Sequence, residues 1–130
     1  MYEYRCKLKR VIDGDSLVLH IDLGMNVQVT EKIRLLGVNT PEMRSRSEDE
    51  RKAAVLATEY VKEWFASHHD LVIRTKLDKT GKFGRLLGDV YGADCQKFPE
   101  INKAKHPPLF LYDHLNMDLL KTNHAEAIPS

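Results

Sequence analysis

Three short stretches of this chain concentrate residues able to do chemistry. Arg34-Leu35-Leu36-Gly37-Val38-Asn39-Thr40-Pro41-Glu42 runs an apolar strand into a polar cluster pinned by a proline. Asp13-Gly14-Asp15 sets two carboxylates on a tight turn, and Lys82-Phe83-Gly84-Arg85 adds a second guanidinium group. A strand core has no use for Arg34, Asn39 and Glu42 together. Hard oxygen ligands between two guanidinium groups suit a phosphodiester, because they can balance charge on both sides of a phosphate.

Each stretch admits a plainer reading. Asp13 and Asp15 are good turn formers, since Asx side chains bond nearby backbone; a carboxylate on a short turn is equally well placed to offer an oxygen to calcium or magnesium. Pro41 restricts Thr40 to an extended conformation and so fixes the direction of its carbonyl. Asn39 can then donate an amide oxygen, Thr40 a backbone oxygen, and Glu42 a carboxylate that holds a water; the alternative is a strand exit with a solvated glutamate. Arg34 and Arg85 are either structural ion pairs, Arg34 with Asp13 or Asp15, or bidentate phosphate ligands. Lys76, Lys79, Lys82 and Arg85 surround Phe83, either as a solvated hairpin turn or as a phosphate-attracting loop with a ring for base stacking.

The remaining polar residues carry weaker signals. The six histidines, His20, His68, His69, His106, His114 and His124, form no metal or nucleophile motif and read as surface or helix-end residues. Cys6 and Cys95 lack zinc or disulfide spacing and read as packing residues. There is no Gly-rich nucleotide loop and no GxSxG elbow.

The elements that must position these residues follow from periodicity. Residues 4–12 and 16–22 read as a hairpin, and 27–30 with 32–38 continue it as an antiparallel meander. Ser47-Glu48-Asp49-Glu50 has capping-box spacing, and Ala53, Ala54, Ala57, Tyr60, Val61, Trp64 and Phe65 then recur at helical spacing up to His68-His69-Asp70. Residues 71–77 and 85–91 read as two more strands, 92–112 as a long loop, and Leu115 to Ala127 as a second amphipathic helix with Leu115, Leu119, Leu120 and Ala125 inward. About five strands and two helices suggest a small mixed barrel.

At 130 residues, 42% apolar and 30% charged, the chain is expected to form one domain, 1–130, with its own core. A net charge of +1 excludes a generally basic nucleic-acid coat, so any such contact must come from a local patch. No cleavable apolar leader and no membrane-length run is present, so a cytoplasmic protein is the default expectation, although a mature secreted chain would look the same. No obligate protein partner is evident, and a monomer is expected.

Taken in order, Asp13-Gly14-Asp15-Ser16-Leu17, Arg34 to Glu42, and Lys82-Phe83-Gly84-Arg85-Leu86-Leu87-Gly88-Asp89-Val90-Tyr91 resemble the signature regions of the staphylococcal nuclease (thermonuclease) family. The start of the helix at Leu115-Asn116 is also similar. The resemblance implies an α+β fold: a five-stranded OB-like β-barrel with two flanking helices. It further implies a calcium-dependent phosphodiesterase acting on DNA and RNA, leaving 3′-phosphate and 5′-hydroxyl ends, with another divalent metal as an option. Asp15, Asn39 and the Thr40 carbonyl would bind calcium, and Asp13 would stand behind them. Arg34 and Arg85 would grip the scissile phosphate, Glu42 would position or deprotonate the attacking water, and Lys82 and Phe83 would contact substrate.

The chain departs from the family pattern in places. Asn39 stands where an aspartate ligand is usual, Phe83 replaces a common tyrosine, and Ser16 replaces threonine. The hairpin between Leu19 and Arg34 and the 92–112 loop are longer, and a third helix has no evident counterpart. Asn39 supports a second expectation, a non-catalytic OB-like module that binds nucleic acid or protein.

Overall fold

The computed structural model describes residues 2–77, 86–99 and 108–128. Strands β1 (Tyr2–Asp13), β2 (Ser16–Asp22) and β3 (Gln28–Leu35) form the expected antiparallel meander, with Asp13 opposite Ser16 and Ser16 opposite Arg34. Leu17, Leu19 and Ile21 bury one face of β2, as period-two alternation requires. Val18 is buried as well, so β2 is covered on both faces. Register shifts in β1 between Leu8 and Arg10 and between Val11 and Asp13 bend the strand around the core.

The chain turns at Leu36–Gly37 before a short β4 (Val38–Asn39), rather than running as one strand to Val38. Helix α1 (Glu48–Ala66) follows, and its stripe of Ala54, Ala57, Val61, Trp64 and Phe65 is buried. His68-His69-Asp70 does not end this helix. The helix stops at Ala66, and His68 already opens β5 (His68–Leu77). Strand β6 (Leu86–Asp94) continues through Gly92 to Asp94, which takes three residues from the expected loop.

Strand β5 pairs with β1 and β6, and β6 returns to β3 in parallel through Ile33 and Leu86, Arg34 and Leu87, Leu35 and Gly88. The ring β3-β2-β1-β5-β6 is therefore a closed five-stranded barrel with two helices, the expected OB-like α+β fold. Closure removes the free edges that an open sheet would leave for aggregation. Leu17, Leu19, Ile33, Leu35, Ile73 and Val90 fill it, each excluded from water and each worth about 1.5–3 kcal/mol on burial.

After a 3-10 turn at Leu109–Leu111, β7 (Asp113–His114) pairs with β6, and α2 (Leu115–Lys121) buries Leu115 and Leu119. The second helix is shorter than its sequence suggests. Asn123 takes φ +61°, the Asn123 N–H donates to the Leu120 carbonyl, and the His124 N–H donates to the Leu119 carbonyl. That pair of bonds is a Schellman stop with asparagine in the left-handed position. Ala125 is buried as expected, but from the segment after the helix, and β8 (Glu126–Ala127) then pairs with β4. The Trp64 indole N–H reaches Asp118 at 3.0 Å and joins the two helices. Among the described residues no helix is long and apolar enough to cross a membrane.

Candidate functional site

The β1–β2 turn lies flat against the exit from β4. A Cβ at Gly14 would stand 2.8 Å from Thr40 Cγ2, so only glycine lets the two segments approach this closely. The Asp15 N–H donates to Asp13 Oδ1 at 3.2 Å, which makes the turn an Asx turn. Asp15 faces the other way: its Oδ2 accepts the Thr40 N–H at 3.1 Å and Arg34 Nη1 at 2.9 Å, and Oδ1 accepts the Ser16 hydroxyl at 3.3 Å.

Arg34 binds three oxygens in turn. Besides Asp15, Nη1 donates to the Val38 carbonyl at 3.3 Å and Nη2 to Asn39 Oδ1 at 3.1 Å. With side chains only 16% and 12% exposed, Arg34 and Asp15 form a mostly desolvated pair. Removing one partner from such a pair is costly because the other charge is left unpaired. The ion pair anticipated for Arg34 is therefore present, and it fastens the β3 end to the β1–β2 turn. Among the described residues, two of the five guanidinium hydrogens have no such partner and remain for another acceptor.

Burial, and then the neighbouring Asp15 carboxylate, push the Asp13 carboxyl above its ordinary value. Asp13, Asp15, Thr40, Glu42 and Arg44 line one hollow of about 390 Å³. Asn39, Thr40 and Glu42 line a second of about 380 Å³ with Glu50, His124 and Glu126. Glu42 is exposed on the rim that the two share.

Glu50 is a residue that sequence reasoning misassigned. Ser47 caps α1 as expected, accepting the Glu50 N–H at 3.3 Å. The Glu50 carboxylate does not complete the capping box. It accepts the Ser45 hydroxyl at 2.5 Å and the Glu42 N–H at 3.3 Å, while Arg51 holds the Ser45 carbonyl at 2.7 Å. The Ser45 hydroxyl, followed by the Glu42 N–H, lowers the Glu50 carboxyl below its usual 4.5. A depressed carboxylate holds its partners above the ordinary value and lets go as pH falls through the depressed one. The Glu42 amide resonance should therefore shift in step with Glu50 protonation below pH 4.5. In Glu50→Gln that titration should vanish; a Glu42 amide indifferent to acid in the original protein would refute the anchoring role.

Asp13, Asp15, Arg34, Asn39, Thr40 and Glu42 are thus brought together, while Lys82, Phe83 and Arg85 lie outside the described residues. A further hollow of about 770 Å³ lies elsewhere, along β1 and the α1–β5 junction, and is lined by none of these residues.

The histidines correct another expectation. The His68 side chain is only 7% exposed, stacks on Trp64 with centroids 3.9 Å apart, and contacts Asp113 Oδ2 at 2.8 Å. His68, Asp94 and Asp113 place ligand atoms within 4.8 Å of one another, a group able to hold a metal ion. No sequence spacing announced this group, because its members sit at the ends of three different strands. His114 likewise contacts Asp89 at 2.8 Å and stacks on Tyr91.

Compared with individually curated proteins, the chain finds no match. Residues 32–105, more than half of the chain, match the family model described as staphylococcal nuclease homologue. That match spans Arg34, Asn39, Thr40 and Glu42 and agrees with the closed barrel, and the chain belongs to the staphylococcal nuclease homologue family.

Proposed function

We propose that this protein is a metal-dependent nuclease that hydrolyses phosphodiester bonds of DNA and RNA, with calcium as the cation and 3′-phosphate and 5′-hydroxyl products. The observation that carries the reading is the desolvated Asp15–Arg34 pair at 2.9 Å, with Asn39 and Thr40 gathered around it and Glu42 on the adjoining rim. The donors that Asp15, Asn39 and Thr40 offer are all oxygens, with the Asp13 carboxylate on the same turn, so the residues fit a hard cation. Asp15, the Asn39 amide oxygen and the Thr40 carbonyl would hold it, and when bound it would neutralise charge on the phosphate. Arg34 offers its two remaining N–H groups to the equatorial phosphate oxygens, and Arg85 would do the same from the other side. Glu42 orients the attacking water or accepts its proton, a role that suits an exposed carboxylate on the rim.

Incubation with single-stranded and duplex DNA in calcium, against a chelator control, tests the proposal. Glu42→Gln should retain substrate binding and lose activity by about a hundredfold or more. Absence of cleavage by the original protein across a broad range of metals and pH would overturn it. One observation favours a second reading: Arg34 already occupies the Asn39 oxygen. A non-catalytic binding module of the same fold would show salt-sensitive nucleic-acid binding, no turnover and no response to Glu42→Gln.

A further inference from the structure

We propose that His68, Asp94 and Asp113 form a second metal site, selective for a divalent transition ion of the zinc class, which clamps β6 and β7 to the head of β5. The site is distinct from the cleft around Asp15. Leu87 is the β6 residue opposite Arg34, and Asp94 lies seven residues further along the strand, roughly 23 Å of extended chain.

Hydrogen-bond roles at His68 point to a cation. Its Nδ1 lies 2.6 Å from the Trp64 carbonyl, which can only accept, so Nδ1 carries the ring proton. The Ser67 hydroxyl, also near Nδ1, donates to the same carbonyl at 3.0 Å. With Nδ1 so committed, the Nε2 lone pair of a neutral ring faces Asp113 Oδ2 at 2.8 Å, one acceptor against another. Either a further proton, on the ring or on the Asp113 carboxyl, or a metal ion must stand between them. A backbone carbonyl on Nδ1 is also how proteins orient a histidine that binds metal through Nε2.

Charge favours the metal. Asp94 and Asp113 bring two negative charges to one imidazole, and among the described residues neither pairs with lysine or arginine. A doubly protonated His68 would leave one charge over, whereas a divalent ion with neutral imidazole leaves none. One imidazole nitrogen with two carboxylate oxygens suits zinc and its neighbours better than calcium, which prefers oxygen throughout. Ligand atoms around one zinc stand roughly 3–4 Å apart, so the observed span of up to 4.8 Å needs only small rotations of two partly exposed carboxylates.

The ligands are also preorganised. A Cβ at Gly92 would lie 2.9 Å from His68 Cβ and 3.0 Å from Trp64 Cη2, so glycine there allows the imidazole and indole to pack onto β6. The Gln96 N–H bonds Asp94 Oδ1 at 2.8 Å, and the Cys95 N–H bonds the Ser67 carbonyl at 2.9 Å, fixing Asp94 beside His68. Asp94 ends β6 and Asp113 begins β7. One ion would therefore join two positions separated by eighteen intervening residues, where closure otherwise costs entropy.

The full chain, stripped with chelator, is titrated with zinc chloride alone by calorimetry and thermal unfolding, and with cobalt(II) by visible absorption. One equivalent should bind, and at a hundredfold excess over Kd the unfolding midpoint should rise by roughly 8 °C. Asp94→Asn with Asp113→Asn should weaken binding at least about a hundredfold, beyond the loss typical of merely supporting groups. The single variant Asp113→Asn, at a partly exposed position, serves as the folded control and should lose most of the same affinity. A calcium response at the cleft should persist in both, which separates this site from the nuclease reading. No saturable zinc binding, or binding unchanged in the double variant, would overturn the proposal.

Discussion

Arg34→Lys is expected to lower phosphodiester hydrolysis by about a hundred- to a thousandfold while the protein stays folded. Lysine keeps a positive charge beside Asp15, so the Coulombic part of the pair survives. An ammonium group cannot at once reach Asp15 Oδ2, the Val38 carbonyl and Asn39 Oδ1, which the guanidinium spans at 2.9, 3.3 and 3.1 Å. A lysine that stays on Asp15 leaves nothing for the phosphate, and one that reaches for the phosphate uncovers a mostly buried carboxylate. Steady-state kinetics beside a denaturation curve separates these effects. Activity within tenfold of the original would remove Arg34 from the site's chemistry and leave it as a structural ion pair.

The second large effect concerns stability. Asn116 is buried at the start of α2, where its Oδ1 accepts the Val90 N–H at 3.1 Å. Its Nδ2 donates to the Leu36 carbonyl at 2.9 Å and the Gly88 carbonyl at 3.1 Å. Gly88 keeps a second bond, from the Leu36 N–H at 2.8 Å. Asn116→Leu therefore strands one N–H and one carbonyl out of reach of water. The loss should be about 3–5 kcal/mol, a fall in unfolding midpoint of roughly 10–20 °C. Chemical denaturation of both proteins measures it. A change under about 1 kcal/mol would mean that the two backbone groups find other partners.

What could be read beforehand was whatever lies close together in sequence. Leu17, Leu19 and Ile21 alternate, Ala54, Ala57, Val61 and Trp64 recur at helical spacing, and both patterns became the elements they suggest. Asp13 to Asp15 and Asn39 to Glu42 were visible for the same reason, since each is a run of adjacent residues. Register is not written in periodicity. Nothing near His68 shows that it will lie opposite Asp94 and next to Asp113, and nothing near Asn116 points to Leu36, eighty residues earlier. Glu50 misled because its spacing from Ser47 fits a local bond, whereas its carboxylate serves a loop eight residues back. The apolar pattern carries on to Ala125 although the backbone has already turned at Asn123, so periodicity alone makes the second helix too long.

The pairing of β4 with β8 gives the cleft its own latch. Asn39 lies opposite Glu126 and Val38 opposite Ala127, and the Ile128 N–H closes on the Gly37 carbonyl at 2.9 Å. The β8 side of this pairing is exposed and holds only two residue pairs, so it parts at less cost than the long ladders of the barrel strands. Strand β8 can therefore lift from Asn39 while Val38, Ile33, Ile73 and Val90 stay packed. Loosening the rim of the cleft and unfolding the barrel then draw on different contacts, so the cleft can change width without spending the stability of the core.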